Sequence, residues 1–343
     1  MNESVVMVRV GSGLFGAELE TTIFRPSGAG PFPAVVINHG KAPGNPVFQE
    51  RSRHINASRE FVRRGYVVVL PMRLGFSKSS GSYISPGCNI ASNGEMQAEW
   101  VEGVLQWMRA QPYIDGKRLL VAGQSQGGLA TMALGARNPE GVRGLLNFAG
   151  GLKVEGCIWE SALADAFERY GARSRLPSLW FYGDNDGSFP PAVWKDLHAR
   201  YTGAGGNARL VAFGAFPRDA HGMFASPEGL PIWVPEVEKF LEQLGLPSKP
   251  VIRVSDVPRP PKSGFAAIDD IGAVPRIREN GRRGYTNFLK SALPRAFALG
   301  PAGQWGWAAE GDDPTARALA DCQKITKDPC KLYAVDDDVV WRP

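Results

Sequence analysis

A chain of 343 residues with 43% hydrophobic residues is long enough to bury one large core and a smaller second unit. No apolar run approaches the roughly 20 residues that cross a bilayer, so the sequence indicates no membrane-spanning helix. The formal net charge of +5 is spread over alternating acidic and basic residues, which argues against a nucleic-acid partner.

Short apolar segments alternate with amphipathic segments up to about residue 245. Apolar runs of Val, Ile, Leu and aromatic residues predict buried strands, and segments with one apolar helical face predict helices. In chain order we predict strands at 4–10, 19–24 and 33–38, a helix at 49–64, a strand at 66–70, a helix at 96–111, a strand at 118–122, a helix ending at 138, a strand at 142–148, a helix at 158–170, a strand at 178–182, a helix at 191–201, a strand at 208–213 and a helix at 233–244.

This alternation predicts a doubly wound α/β fold, a mostly parallel sheet with helices on both faces that opens with an antiparallel pair of strands. We place a catalytic domain at 1–247, a proline-rich linker at 248–263 and a small C-terminal module at 264–343. Ligands of such sheets bind at the carboxyl ends of the strands, so catalytic residues should directly follow strands.

The four cysteines, Cys88, Cys157, Cys322 and Cys330, form no C-x-x-C pair and are not grouped with histidines, so a zinc site is not indicated. Their even number suits two disulfides: Cys322 with Cys330, which are close in sequence, and Cys88 with Cys157. The alternative is four free thiols in a cytoplasmic enzyme. Disulfides would imply a periplasmic or secreted protein. Because the first ten residues lack the basic and apolar regions of a signal peptide, an export signal would then have been removed.

The segment Gly123-Gln124-Ser125-Gln126-Gly127 matches G-x-S-x-G between a predicted strand and a predicted helix. In this motif the serine occupies a strained turn, which requires small residues two positions before and after it. The turn exposes the hydroxyl above the sheet, and the N-terminus of the following helix favours developing negative charge. We therefore predict Ser125 as a nucleophile, the alternative being a glycine turn without chemistry.

A serine hydroxyl needs a base that accepts its proton, and the chain has four histidines. His54 and His198 lie in predicted helices. His39 precedes Ser125, whereas the fold places the base after the nucleophile and the acid. His221 lies in a loop between the last predicted strand and the last helix, so we predict it as the base.

The acid should lie between the nucleophile and the base and should follow a strand. Asp184 and Asp186 both come directly after the predicted strand at 178–182. We favour Asp186, because it lies further along the turn, where its carboxylate can bend toward an imidazole; Asp184 would then structure the turn. Asp219 is too close in sequence to His221 to orient it easily.

Two backbone N–H groups should bind the oxyanion of an acyl-transfer reaction. The N–H of Gln126 directly follows the nucleophile. In the loop after the strand at 33–38, Gly40 lets the backbone approach a substrate closely, so the N–H of Lys41 is the predicted second donor.

A long polar loop at 72–93 follows a predicted strand and should border the site. Within it, Arg73 and Tyr83 either contact an acidic or aromatic substrate or have structural roles. The proposed chemistry requires no cofactor and no metal.

Several of these segments resemble the dienelactone-hydrolase-like and related serine esterase branch of the α/β-hydrolases. The matching segments lie within about residues 20–245 and comprise 38–40 (NHG), 70–77 (LPMRLGFS), 123–128 (GQSQGG), 183–186 (GDND) and 219–222 (DAHG). The resemblance implies the α/β-hydrolase fold and a triad of Ser125, Asp186 and His221. Dienelactone hydrolases proper have a cysteine where this chain has Ser125, which argues for ordinary carboxylic esters as substrates.

The expected reaction is therefore hydrolysis of a small-molecule carboxylic ester through an acyl-enzyme. Two alternatives stay open, because a fold does not determine a function. One is a serine peptidase or amidase that acts on small peptides, and the other is a binding protein without catalytic activity.

Overall fold

The computed structural model describes residues 1–11, 16–85, 87–254, 259–291, 293–309 and 313–343. Residues 255–258 of the predicted linker and residue 86 of the predicted polar loop lie outside the described residues. The chain forms two compact units. The larger comprises Met1–Arg53, Ala57–Phe224 and Leu230–Val254, and the smaller comprises the residues beyond 258 together with His54–Asn56 and Ala225–Gly229.

The described strands of the larger unit form one eight-stranded sheet. These strands are β1 (Asn2–Val10), β2 (Ala17–Arg25), β3 (Phe32–Asn38), β4 (Val67–Pro71), β5 (Ile114–Gln124), β6 (Val142–Phe148), β7 (Ser178–Tyr182) and β8 (Ala208–Ala212). Their order across the sheet is β1-β2-β4-β3-β5-β6-β7-β8. β2 pairs antiparallel with β1 and with β4, and the remaining neighbours pair parallel. The predicted mostly parallel sheet is confirmed.

The central strands are apolar along their length because both faces of the sheet are covered. In β4 every residue is buried, and in β3 only the first residue is partly exposed. A parallel strand that is buried on both faces carries a continuous apolar run rather than an alternating one. β1, at the edge of the sheet, leaves most of its residues exposed.

Helices on both faces follow from the crossovers between parallel strands. In the described part of the larger unit they are α1 (Ile55–Arg63), α2 (Ile90–Arg109), α3 (Gln126–Gly135), α4 (Trp159–Gly171), α5 (Pro191–Gly203) and α6 (Leu230–Gln243). All residues of α3 are buried. On the opposite face of the sheet, Trp233 of α6 packs against Phe61 of α1 and Phe148 of β6.

Several helices begin at residues other than those predicted, and the largest differences are at α1 and α2. α1 begins at Ile55 rather than at 49, because His54 has a φ of +38°, a left-handed conformation that interrupts a helix. α2 begins at Ile90 rather than at 96, because the Asn89 side chain accepts a hydrogen bond from the Ser92 N–H at 3.0 Å and caps the helix. The last four residues of the predicted polar loop, 90–93, are therefore helical.

The smaller unit contains a four-stranded antiparallel sheet and two described helices. Its elements are α7 (Glu279–Lys290), β9 (Arg295–Leu299), β10 (Trp305–Ala309), α8 (Pro314–Gln323), β11 (Lys331–Val335) and β12 (Asp338–Val339), with the strand order β10-β9-β11-β12. Aromatic side chains that include Tyr285, Phe288 and Phe297 form one of its cores. The C-terminal module predicted at 264–343 is therefore a packed unit with its own sheet.

Both predicted disulfides are formed in the structure. Cys88 is bonded to Cys157, and Cys322 is bonded to Cys330. The first disulfide joins the loops that lead into α2 and α4, and the second joins α8 to the segment before β11. None of the described helices combines the length and apolar character that crossing a membrane would require.

Removing the Cys88–Cys157 disulfide should destabilise its unit more than removing Cys322–Cys330 destabilises the other. The chain-entropy contribution of a disulfide grows with the length of the loop that it closes. The sequence separations of 69 and 8 residues correspond to about 4 and about 2.5 kcal/mol of unfolding free energy. Denaturant unfolding of the C88A/C157A and C322A/C330A variants measures both losses, and equal losses would contradict the expectation.

Candidate active site

Ser125 links β5 to α3 in a conformation that non-glycine residues rarely adopt. Its φ is +54° and its ψ is −124°. Its N–H donates a hydrogen bond to the Phe148 carbonyl at 3.0 Å, and its carbonyl accepts one from the Gly151 N–H at 3.0 Å. These bonds to the end of β6 and the loop after it hold the strained turn at the carboxyl end of the sheet, where Ser125 is half-buried.

Glycines on both sides of Ser125 let separate backbone segments touch. A Cβ at Gly123 would lie 2.2 Å from the Gly127 carbonyl oxygen, and a Cβ at Gly127 would lie 2.1 Å from the Asn38 carbonyl oxygen. Both distances are far below van der Waals contact, so no larger residue fits at either position without moving the backbone. The structure thus supplies the physical reason for the spacing in the G-x-S-x-G motif.

His221 is held against Asp186. Its Nδ1–H faces both carboxylate oxygens of Asp186, each at 3.1 Å. The Asp186 side chain is fully buried, and its Oδ1 also accepts hydrogen bonds from the N–H groups of Ser188 at 2.8 Å and Phe189 at 2.9 Å. Because Nδ1 is bonded to Asp186, any role of His221 as a base would fall to Nε2.

The two other aspartates considered from the sequence have different surroundings. Asp184 is exposed, and its backbone N–H donates to the Gly214 carbonyl at 2.8 Å. Oδ1 of Asp219 accepts from the N–H groups of Gly187 at 3.0 Å and His221 at 2.9 Å. Asp219 therefore ties the loop after Asp186 to the loop of the histidine. This role was not predicted from the sequence, although an aspartate side chain often accepts a hydrogen bond from the backbone N–H two residues later.

A second anchor that the sequence analysis did not find is Gln124. Its side-chain Nε2–H donates to the His221 carbonyl at 2.9 Å, across 97 residues of sequence. The residue before the candidate nucleophile is thereby bonded to the backbone of the candidate base. A glutamine at the x position of G-x-S-x-G gives no sequence signal for such a long-range bond.

The loop after β3, in which the sequence predicts an oxyanion donor, lies close to Ser125. A Cβ built at Gly40 would be 3.4 Å from Ser125 Cβ and 4.0 Å from Ser125 Oγ, so the Gly40 backbone is adjacent to the Ser125 side chain. Lys41 follows directly, and its side-chain ammonium donates to the carbonyls of Ala42 at 3.2 Å and Gly44 at 3.1 Å. Gln126 is the first residue of α3, so its N–H has no partner within the helix.

Arg73 and Tyr83 are both connected to this loop and helix terminus. Arg73 is only 5% exposed; its guanidinium donates to the carbonyls of His39 and Gly40 and to Gln126 Oε1. Gln126 Nε2–H donates to the Tyr83 hydroxyl at 3.2 Å. A small cleft beside them is lined by Arg73, Leu74, Phe76, Tyr83, Ile84, Gln97 and Trp100. Part of the predicted polar loop is thus bonded to the loop after β3 and to the first residue of α3, and Arg73 is embedded in protein.

Two further histidines are bonded to backbone carbonyls in the structure. His39 Nδ1 lies 2.6 Å from the Gly40 carbonyl oxygen, and His198 Nε2 lies 3.1 Å from the Ala208 carbonyl oxygen. His198 also makes an edge contact with the ring of Trp180, whose centroid is 5.5 Å away.

The chain is similar to known proteins in part of its sequence and in its fold. The model of the X-Pro dipeptidyl-peptidase (S15) family matches residues 16–171. No curated protein matches the chain. Among solved structures, a chain from Klebsiella pneumoniae described as a dienelactone hydrolase is 17% identical with a TM-score of 0.52, and the match covers 71% of this chain and 98% of that one.

Two other solved structures with a similar fold are described as an esterase and as a peptidase. An esterase from Pyrococcus furiosus is 15% identical with a TM-score of 0.52, covering 71% of this chain and 91% of that one. A chain from Bacteroides ovatus described as a dipeptidyl aminopeptidase IV is 15% identical with a TM-score of 0.54, covering 70% of this chain and 36% of that one. At these identities the likeness establishes the fold.

Alanine at Gly127 should prevent normal folding, whereas alanine at Gly40 should be tolerated. The added methyl of G127A would meet the Asn38 carbonyl at 2.1 Å, whereas that of G40A would have ordinary contact with Ser125 at 3.4 Å. We expect G127A to lose more than about 3 kcal/mol of unfolding free energy and G40A less than about 1.5 kcal/mol. Denaturant unfolding of both purified variants measures the difference, and a G127A protein as stable as G40A would refute the packing argument.

Proposed function

Because the chain has the α/β-hydrolase fold, we propose that it is a serine hydrolase that cleaves carboxylic esters with Ser125, His221 and Asp186. The observation that carries the proposal is the pairing of His221 with buried Asp186 on loops bonded to the strained turn of Ser125. A nucleophile, a base and an acid that orients the base are the parts of a catalytic triad.

In the proposed reaction, His221 Nε2 takes the proton of Ser125 as Oγ attacks the ester carbonyl. The N–H groups of Lys41 and Gln126 bind the negative charge of the tetrahedral intermediate. The protonated imidazole, stabilised by Asp186, then gives its proton to the leaving alcohol. Water attacks the acyl-enzyme with His221 again as the base, which releases the carboxylic acid and restores Ser125.

We favour an ester as the substrate class, because the solved structures that match over nearly their whole length include a chain described as a dienelactone hydrolase and an esterase. The match covers 98% of the chain described as a dienelactone hydrolase and 91% of the esterase, but 36% of the chain described as an aminopeptidase. The match of residues 16–171 to the S15 family favours a second candidate, a peptidase or amidase. Both would use the same triad, and amide cleavage would additionally require efficient protonation of the leaving amine.

The two disulfides support a periplasmic or secreted location, because disulfides persist in oxidising compartments. A cytoplasmic protein is the alternative. Titration of free thiols in protein isolated from its native host tests the proposal: four reactive thiols after denaturation would count against an oxidising compartment.

Replacing Asp186 by asparagine should reduce kcat by roughly 10⁴-fold, because an amide in place of the carboxylate favours the wrong imidazole tautomer. D184N is the matched control. The Asp184 side chain is exposed, and the contact that it makes with Gly214 is through the backbone, so we expect its kcat to stay within about threefold of the wild type. Steady-state hydrolysis of a p-nitrophenyl ester measures both, and a larger loss in D184N would move the acid to Asp184.

Wild-type protein should hydrolyse short p-nitrophenyl esters and should be labelled by a fluorophosphonate, and S125A should do neither. Background catalysis without the nucleophile leaves roughly 10³–10⁴-fold over water in related triads, so S125A rates should be far below the wild type. Parallel assays with aminoacyl p-nitroanilides separate the two substrate classes. A higher kcat/KM on anilides would favour the peptidase, and wild type that is inert to every probe would refute the hydrolase.

A further inference from the structure

Arg73 is a buried cation that has no acidic partner among the residues that the structure describes. It is 5% exposed, and its guanidinium bonds to two backbone carbonyls and one side-chain amide. Two other buried arginines are paired: Arg64 with Glu60 and Glu238, and Arg295 with Asp337. Burial lowers the pKa of Arg73 to about 9, since desolvation disfavours its charged form. An unpaired buried charge is unfavourable for folding and is therefore a reason to look for a function.

The guanidinium of Arg73 contacts the peptide groups on both sides of Gly40, and the second of these supplies the Lys41 N–H. It donates to the His39 carbonyl and, at 3.5 Å, to the Gly40 carbonyl. The Gly40 carbonyl and the Lys41 N–H belong to one planar peptide unit and point in opposite directions. A donor that fixes the carbonyl therefore fixes the direction of the N–H and also polarises it.

His39 holds the same peptide from a second side. Its Nδ1 lies 2.6 Å from the Gly40 carbonyl oxygen, and its Nε2 lies 3.1 Å from the backbone nitrogen of Arg73. A carbonyl can only accept and a backbone N–H can only donate, so these contacts require the neutral Nδ1–H tautomer of His39. The edge of its ring also packs on Phe76.

The same guanidinium also holds the residue that supplies the other oxyanion donor. It donates to Gln126 Oε1 at 3.1 Å, and the Gln126 amide in turn donates to the Tyr83 hydroxyl. The side chain of Gln126 is thereby fixed at both of its polar ends. One buried group thus bonds to both segments whose N–H groups would face the oxyanion, the loop after β3 and the N-terminus of α3.

We propose that Arg73 is the positioning residue of the oxyanion hole: it aligns the Lys41 and Gln126 donors, and its unpaired positive charge favours the anionic intermediate. The inference rests on the proposed serine hydrolase activity. In this proposal Arg73 stabilises the transition state, whereas the sequence suggested contact with the substrate as one possible role. Its effect must therefore appear in kcat and not in KM.

Replacing Arg73 by methionine should lower kcat by about 10- to 100-fold and leave KM within about threefold of the wild type. The loss of one oxyanion donor costs roughly 10²–10³-fold in kcat. We expect a smaller effect here, because both donors remain present and only their alignment is lost. A trifluoromethyl ketone forms a tetrahedral adduct with an oxyanion, so its Ki should rise in proportion to the loss in kcat/KM. The Ki of the alcohol product, which has no oxyanion, should not change.

R295M is the matched control, because Arg295 is equally buried but lies in the smaller unit. It should lower stability and leave kcat per folded molecule unchanged. R73K covers the case in which R73M does not fold. A lysine keeps the charge but lacks the planar fork that reaches several acceptors, so we expect a loss in kcat that is smaller than in R73M.

A wild-type kcat in folded R73M would overturn the proposal. If R73M does not fold, a wild-type kcat in R73K would overturn it. A raised KM with an unchanged kcat would also overturn it, because Arg73 would then be a substrate contact. Failure of the proposed function is distinguishable from these. In that case the wild type itself would neither hydrolyse esters nor react with a fluorophosphonate.

Discussion

The arrangement of the candidate site depends on how closely the first turn of α3 approaches β3 and β5. A side chain at Gly127 would lie 2.1 Å from the Asn38 carbonyl and 2.5 Å from the His39 carbonyl, so contact at this distance is possible only for glycine. The approach brings the strained turn of Ser125 next to the loop that contains Gly40. A misplacement of about 1 Å can cost roughly 10²-fold in the rate of a catalysed reaction. This backbone contact therefore determines how precisely Ser125 and the loop that contains Gly40 are positioned.

A second level of organisation comes from polar side chains that hold loops to one another. Loops at the carboxyl ends of strands are mobile unless something anchors them. Here Gln124 binds the backbone of His221, Asp219 joins the loops of His221 and Gly187, and Arg73 binds the loop after β3. In each case a side chain satisfies backbone groups that no strand or helix satisfies, which lets irregular backbone be ordered next to the sheet.

The sequence predicted the sheet, the order of the strands along the chain and the positions of the candidate triad. Buried parallel strands have a continuous apolar run, and G-x-S-x-G lies between a strand and a helix, so both have a local signal. The N-terminus of α2 was misplaced because Asn89 caps it before the apolar periodicity becomes clear. The roles of Gln124 and Asp219 were missed because bonds between a side chain and a distant backbone group leave no periodic pattern.

Two buried arginines, Arg73 in the larger unit and Arg295 in the smaller one, differ in whether an acidic group balances their charge. Arg295 binds Asp337 and the carbonyls around it, so its charge is balanced in the folded protein. Arg73 binds neutral carbonyls and an amide, and no carboxylate in the described part of the chain balances its charge. On the proposed mechanism, the missing negative charge appears when the ester carbonyl becomes an oxyanion. A fold that leaves a buried cation unpaired in the ground state then binds the transition state more tightly than the substrate, which is the physical requirement for catalysis.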